Sequence, residues 1–292
     1  MFNHKHLLSV DDLSREVNER PIKKVPALRG KTICNLFFEP STRTRGSFEL
    51  AEKRLSCDSL NAGGSASSTV KGESLIDTVM TLDAYKIDCI VVRDKHAGAP
   101  YIVSQASPAV VIDAGDGKHG HPTQALLDLY SIWERKQDFN GLKVGIVGDI
   151  AHSRVCGSLI PALKIMGAEV TVVAPGTLIP AAPEVLGADH VSYCLDDVLP
   201  ELDVVYMLRI QRERLEGAPF PSLGLTRKRE RLMKPDAIIC HPGPINRGVE
   251  FDSYMADHPE RSVILDQVYA GICVRMAALY LLLGGADNGL AA

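Results

Sequence analysis

The chain has 292 residues, 46% apolar and 23% charged, an ordinary globular composition that excludes a disordered polypeptide. A formal net charge of -4 leaves no basic excess for a nucleic-acid partner, and the seven cysteines form no CxxC pair, so reduced thiols in a cytosolic protein fit better than a zinc ribbon or disulfide framework. No apolar run resembling a signal peptide follows the N-terminal lysine, and the longest uncharged apolar stretch, residues 276–286, falls short of the roughly 20 residues a bilayer span needs, so a soluble chain with no membrane partner is expected.

In chain order, the first expected strand is 32–38 (TICNLFF), a continuous apolar run. Glu39-Pro40-Ser41-Thr42-Arg43-Thr44-Arg45 follows it and opens an amphipathic helix expected over 42–56. Hydroxyl caps, backbone N–H groups and two guanidinium groups at one helix N-terminus suit a phosphate; the alternative is an ordinary cap with solvated arginines. The spacing is not that of a Walker A loop. Residues 63–74 (GGSASSTVKGES) are a small polar loop with serines at 65, 67 and 68 and one cation, Lys71, able to close over an anion or simply to face solvent. A helix over 73–85 and strands over 88–93 (DCIVVR) and 109–114 (AVVIDA) come next. His121-Pro122-Thr123-Gln124 then begins a helix expected over 123–135, where an imidazole and an amide can donate to a developing oxyanion. His119 and His121 with Asp116 lack metal-site spacing, and no metal is expected.

The strand 143–149 (KVGIVGD) leads into Gly148-Asp149-Ile150-Ala151-His152-Ser153-Arg154 and a helix over 153–166. G-x-G-x-x-G is missing there, which weighs against a nicotinamide dinucleotide. Strands over 169–174 (EVTVVA) and 203–208 (DVVYML) follow, the second running directly into Arg209-Ile210-Gln211-Arg212-Glu213-Arg214. Planar guanidinium groups at a strand end match carboxylates, the alternative being a solvated turn. After a helix expected over 225–233, the strand 237–241 (AIICH) ends on His241-Pro242-Gly243-Pro244, a rigid loop able to hold main-chain carbonyls towards an amine. A helix over 265–283 closes the series.

Continuously apolar strands alternating with helices indicate an α/β fold of two similar-sized domains, each a parallel sheet flanked by helices, with the active site expected in the cleft between them. The polar stretch 135–141 (RKQDFNG) sets the expected boundary: domain one is 1–135, joined by the C-terminal helix 266–292, and domain two is 136–265. The strand-end groups are mostly cations and neutral donors, with neither a nucleophile beside a paired base nor a carboxylate pair. Such a site binds several anionic groups and stabilises charge on a leaving phosphate, which points to transfer from an activated phosphate to an amine-bearing acid.

Taken as an ordered set, S-T-R-T-R, S-x-x-x-K-G-E, H-P-T-Q-A-L-L-D, G-D-I-x-H-S-R, R-x-Q-x-E-R and H-P-G-P resemble the aspartate carbamoyltransferase catalytic chains of the carbamoyltransferase family, from about Lys31 to Gly285. Ornithine-specific members resemble H-P-C-Q and H-C-L-P at the two histidine motifs, where this chain has HPTQ and HPGP. The resemblance implies transfer of a carbamoyl group from carbamoyl phosphate to L-aspartate in pyrimidine biosynthesis, with no cofactor. It implies that Ser41, Thr42, Arg43 and Thr44 bind the phosphate. Thr44, Arg93 and His121 would polarise the carbonyl and Gln124 would contact the carbamoyl amide, making Arg43, Thr44, Arg93 and His121 the catalytic set. Ser67 and Lys71 would come from a neighbouring subunit of a homotrimer with shared sites. Lys71, Arg154, Arg209 and Gln211 would hold aspartate, with Pro242 and Gly243 offering carbonyls to the nitrogen groups, while Glu39, Arg154 and Arg214 would bridge the domains on closure. A regulatory chain or a dihydroorotase is the kind of partner implied.

Three departures stand out: short joints at residues 17–20 and 223–224, where the family carries longer segments, and Asp94-Lys95 after Arg93, where it commonly has His-Pro. A weakly active scaffold for a partner enzyme, and a transferase for another amino acid, are the competing expectations.

Overall fold

A computed structural model describes residues 28–63, 73–209 and 223–284. The chain divides into two compact units, residues 1–127 with 268–292, and residues 128–267.

In the first unit, β1 (Thr32–Phe37), β2 (Asp58–Ala62), β3 (Cys89–Asp94) and β4 (Val110–Asp116) form a sheet of order β2-β1-β3-β4, every pair parallel. The central strands are mostly apolar because both faces are covered. On one face Ile33, Phe37, Val91 and Ile112 pack with Phe48 and Leu55 of α1 (Thr42–Leu55) and with Leu279 and Tyr280 of the long closing helix Ile264–Leu283. On the other, Leu36, Ile90 and Val92 pack with Val79 and Leu82 of α2 (Leu75–Ala84) and Val103 of α3 (Ala99–Ala106). Each such fully buried side chain contributes roughly 1.5–3 kcal/mol, more than helix propensity supplies over a whole turn.

Two elements here have no counterpart in the apolar pattern. β2 reads DSLNA and lies mostly exposed at the sheet edge; its backbone pairs with β1 from Thr32↔Asp58 to Leu36↔Ala62 regardless of side-chain polarity. α3 is an eight-residue helix started by Gly98 at φ 91° and Pro100, too short to show a periodic stripe.

The chain then passes through α4 (Pro122–Lys136) into the second unit. There β5 (Lys143–Val147), β6 (Glu169–Val173), β7 (His190–Ser192), β8 (Val204–Met207) and β9 (Ile238–Cys240) make a parallel sheet of order β7-β6-β5-β8-β9. α5 (Arg154–Met166) follows β5 and ends at Gly167, φ 94°. The core gathers Val147, Val205, Met207 and Ile239 with Leu199, Leu225, Phe251 and Met255. α6 (Leu195–Val198) precedes β8.

The helix expected over 225–233 is corrected to α7 (Arg227–Glu230), four residues capped by the Thr226 hydroxyl, because Leu225 instead bridges to Phe251 just ahead of α8 (Ser253–Ala256). β7, three residues at an edge, is a further strand absent from the expectation. α9 (Ile264–Leu283), which carries Asp266 and Arg275 ahead of the uncharged stretch, is long and apolar enough to cross a bilayer by length and composition, but half of that apolar window is buried inside the protein.

Candidate active site

In the first unit the loops after β1, β3 and β4, three neighbours in the sheet, carry the expected groups. Ser41 is the N-cap of α1, with extended backbone (φ -155°, ψ 95°) and a side chain that caps nothing, and no acidic residue occupies the first turn. The helix therefore begins with N–H groups that its own N-cap side chain leaves uncapped, under a partial positive charge suited to an anion. Thr42 and Arg43 are exposed there, whereas Thr44 is buried and turned inward. Thr44 Oγ1 lies 3.4 Å from Nε2 of His121, which is itself buried at the entrance to α4. Gln124 is buried one turn further on, its N–H bonded to the His121 carbonyl at 3.0 Å.

Arg93, the second-last residue of β3, links the flanking strands. Its Nη1 donates to the Ala114 carbonyl at 3.0 Å, its own carbonyl accepts from Phe38 N–H at 2.9 Å, and its Nε stands 3.5 Å from Glu39 Oε2. Thr44, Arg93 and His121 thus lie at three adjacent strand ends. Arg45 does not join them: its Nε is 3.3 Å from Asn61 Oδ1 and 3.6 Å from Glu49, and its guanidinium sits 5.9 Å above Phe37. The expectation of two arginines at the helix start is corrected to Arg43 alone.

Asp94 is buried with its carboxylate turned to its own loop, accepting from His96 N–H at 2.8 Å and pairing with His96 Nδ1 at 2.9 Å. Asp116 likewise accepts from Gly98 N–H at 2.7 Å and pairs with His119 at 3.0 Å. Among the described residues no group of three or more side chains is arranged to hold a metal ion.

In the second unit the loops after β5, β8 and β9, again sheet neighbours, carry Arg154, Arg209 and Pro242-Gly243. Arg154 is the first residue of α5. The turn before it is possible because Gly148 adopts φ 128°, where a side chain is strained and a Cβ would come 3.1 Å from Leu208 Cβ. Asp149 ties that turn by accepting from His152 N–H at 3.2 Å and pairing with its Nδ1 at 2.8 Å. Arg209 stands two residues past β8. In the loop after β9, His241 N–H donates to Gln267 Oε1 at 2.9 Å and Gly243 N–H donates to His241 Nδ1 at 2.8 Å. Ser67, Lys71, Gln211 and Arg214 lie outside the described residues.

All seven cysteines are free thiols. Burial pushes Cys34 and Cys156 up to about 12 and Cys57 to about 11, and holds Cys89 and Cys240 well above the usual thiol range. Such thiols stay protonated at neutral pH and are poor nucleophiles.

Parallel sheets with donors and cations gathered at their carboxyl ends define an α/β group transferase that handles anions. Residues 1–134 match the family model described as aspartate/ornithine carbamoyltransferase, carbamoyl-P binding domain, and residues 140–282 match its Asp/Orn binding domain. The chain belongs to the aspartate/ornithine carbamoyltransferase family. It is 51% identical to an aspartate carbamoyltransferase catalytic subunit of Syntrophotalea carbinolica, covering 97% of each chain. That match runs over 305 positions against 292 residues here, so the relative carries residues with no counterpart in this chain. Among solved structures, the catalytic subunit of M. jannaschii aspartate transcarbamoylase superposes with a TM-score of 0.82 at 34% identity, over 98% of this chain and 100% of that one. Aspartate transcarbamoylase from Trypanosoma cruzi in complex with carbamoyl aspartate and phosphate gives 0.86 at 30% identity, over 96% of each.

Proposed function

We propose that the chain transfers the carbamoyl group of carbamoyl phosphate to the amine of L-aspartate, giving N-carbamoyl-L-aspartate and phosphate for pyrimidine synthesis. The observation that carries this reading is the convergence of Thr44 and His121 at 3.4 Å beside the strand-end arginine Arg93, a donor set suited to one carbonyl oxygen. In this assignment Ser41, Thr42, Arg43 and the start of α1 hold the phosphate. Thr44, Arg93 and His121 polarise the carbonyl and hold the tetrahedral oxyanion, and Gln124 receives the carbamoyl amide. Arg154 and Arg209 take the two carboxylates of aspartate, with Gln211 and Lys71 beside them, and the Pro242 and Gly243 carbonyls face the nitrogen groups.

The amine attacks the carbonyl carbon, a C–N bond forms, the C–O bond to phosphate breaks, and the departing phosphate takes the amine proton. A side-chain base is then unnecessary, and positioning plus oxyanion stabilisation supply the rate. The working unit is a homotrimer in the cytosol, with Ser67 and Lys71 completing a neighbour's site, so light scattering should give three times the chain's 31.7 kDa. A regulatory chain or a dihydroorotase is the partner class that suits such a trimer.

The test is colorimetric detection of ureido product from carbamoyl phosphate, with aspartate and ornithine offered in parallel to the purified chain. Turnover with aspartate alone is expected. A folded protein that turns over neither acceptor overturns the reading in favour of a scaffold role.

A further inference from the structure

The HPTQALLD segment ends on Asp128, to which the catalytic reading gives no task. Asp128 is fully buried on α4, in the second unit, and its carboxylate joins two other elements of that unit. Tyr206 Oη of β8 donates to Oδ2 at 2.7 Å, and Gln267 Nε2 of α9 donates to Oδ1 at 2.7 Å. Gln267 in turn accepts from His241 N–H at 2.9 Å through Oε1, and His241 Nδ1 accepts from Gly243 N–H at 2.8 Å. Tyr206, Gln267 and His241 are all nearly or fully buried, so none of these groups can exchange its partner for water at low cost.

The chemistry of the partners fixes the direction of every bond. An ionised carboxylate only accepts, so the amide must turn its NH2 to Asp128; the backbone N–H of His241 only donates, so the amide must turn its carbonyl there. Since His241 Nδ1 accepts, its ring proton sits on Nε2. The series runs without a break from Asp128 to the Cys240–His241 peptide group and, through the His241 ring, to the Pro242–Gly243 peptide group.

We propose that Asp128 is a positioning residue for the acceptor half of the reaction: by orienting Gln267 it holds the 241–243 backbone so that the Pro242 and Gly243 carbonyls present themselves to the substrate nitrogen. This rests on the carbamoyl-transfer reading and adds to it the group that aims those carbonyls.

The test exchanges the two side chains. Asp128→Asn puts an amide against the Gln267 amide, and Gln267→Glu puts a carboxylate against Asp128; each leaves a buried group mispaired. The double variant D128N/Q267E restores complementarity, since the new amide accepts from Tyr206 and donates to the new carboxylate, which still accepts from His241 N–H. Each single variant is expected to raise KM for aspartate about tenfold or more while KM for carbamoyl phosphate moves less than about twofold, and the double variant to return within about threefold of wild type. If the singles do not fold, an active, folded double variant supports the proposal and an unfolded one overturns it. Additive losses in the double variant, or singles with unchanged KM for aspartate, also overturn it. A wild-type chain without turnover removes the functional reading itself, whereas an active wild type with an unrescued double variant removes this inference alone.

Discussion

At the scale of residues, the candidate groups whose placement was legible in the sequence are those that stand where a strand stops. His121, Arg93, Arg154 and Arg209 follow apolar runs, and a run that ends marks a carboxyl end. Arg45 was misplaced because adjacency in sequence does not say which side of a helix a residue takes; Glu49, four residues on, and Asn61 capture it. Asp128 and Gln267 carried no readable signal, being 139 positions apart and joined only through the fold. His121→Ala should lower kcat by on the order of 10²–10³ with little change in KM for aspartate, as for loss of one oxyanion donor. Arg209→Ala should instead raise KM for aspartate by on the order of 10², the loss of a charge-assisted contact of about 3 kcal/mol. Steady-state kinetics on both variants separate the two roles, and equal effects on both constants would contradict the assignment. Glu52 offers a prediction about pH. It is fully buried, accepts from Asn35 Nδ2 at 3.0 Å, and burial raises its carboxyl above the usual 4.5 despite hydrogen bonds from Ser59 and Asn35 that oppose the rise. Because the folded value exceeds the unfolded one, its contribution to stability is complete below about pH 4.5 and is lost as pH climbs through the raised value. Glu52→Gln does not titrate, so its melting temperature relative to wild type should rise between pH 4 and pH 8. A flat difference across that range would count against a raised carboxyl.

Among the elements, the strands buried on both faces were legible because burial on both sides demands a short, continuous apolar run. β2 and β7 escaped because an edge strand needs only its neighbour's backbone, and DSLNA or HVS suffices. The short α7 was overread because Leu225 and Met233 both belong to the core without lying on one helix. Glycine makes the geometry of one element testable. Gly63, just past β2, holds φ +91°, and a Cβ there would meet the Phe37 carbonyl oxygen at 2.3 Å and its carbon at 2.7 Å. Both are backbone atoms at the end of β1, on which Ser41–Thr44 depend, so nothing flexible can yield. Gly63→Ala should therefore cost at least about 1–3 kcal/mol. Gly46, inside α1, has nothing within 4 Å of a Cβ, and Gly46→Ala should stabilise by up to about 1 kcal/mol. Thermal melts of the two variants should move in opposite directions.

Seen as a whole molecule, two parallel α/β units were visible in the alternation of strands and helices, and each sheet turns three adjacent carboxyl ends towards polar loops. The units differ in how the chain composes them. The second is one uninterrupted stretch, residues 128–267, whereas the first is assembled from 1–127 and 268–292. Leu279 and Tyr280, from the second piece, complete the same core as Ile33, Phe48 and Ile112 from the first. On a ribosome, which works from the N-terminus, the first unit is begun first yet cannot be finished until the last helix emerges. At roughly 5–20 residues per second the intervening segment holds it open for on the order of ten seconds, one face of its sheet covered by α1 but not yet by the closing helix, while the later-made unit is already whole. The half that matches the carbamoyl-P binding domain is thus the last to mature, and the nascent chain spends that interval as the form most in need of a chaperone.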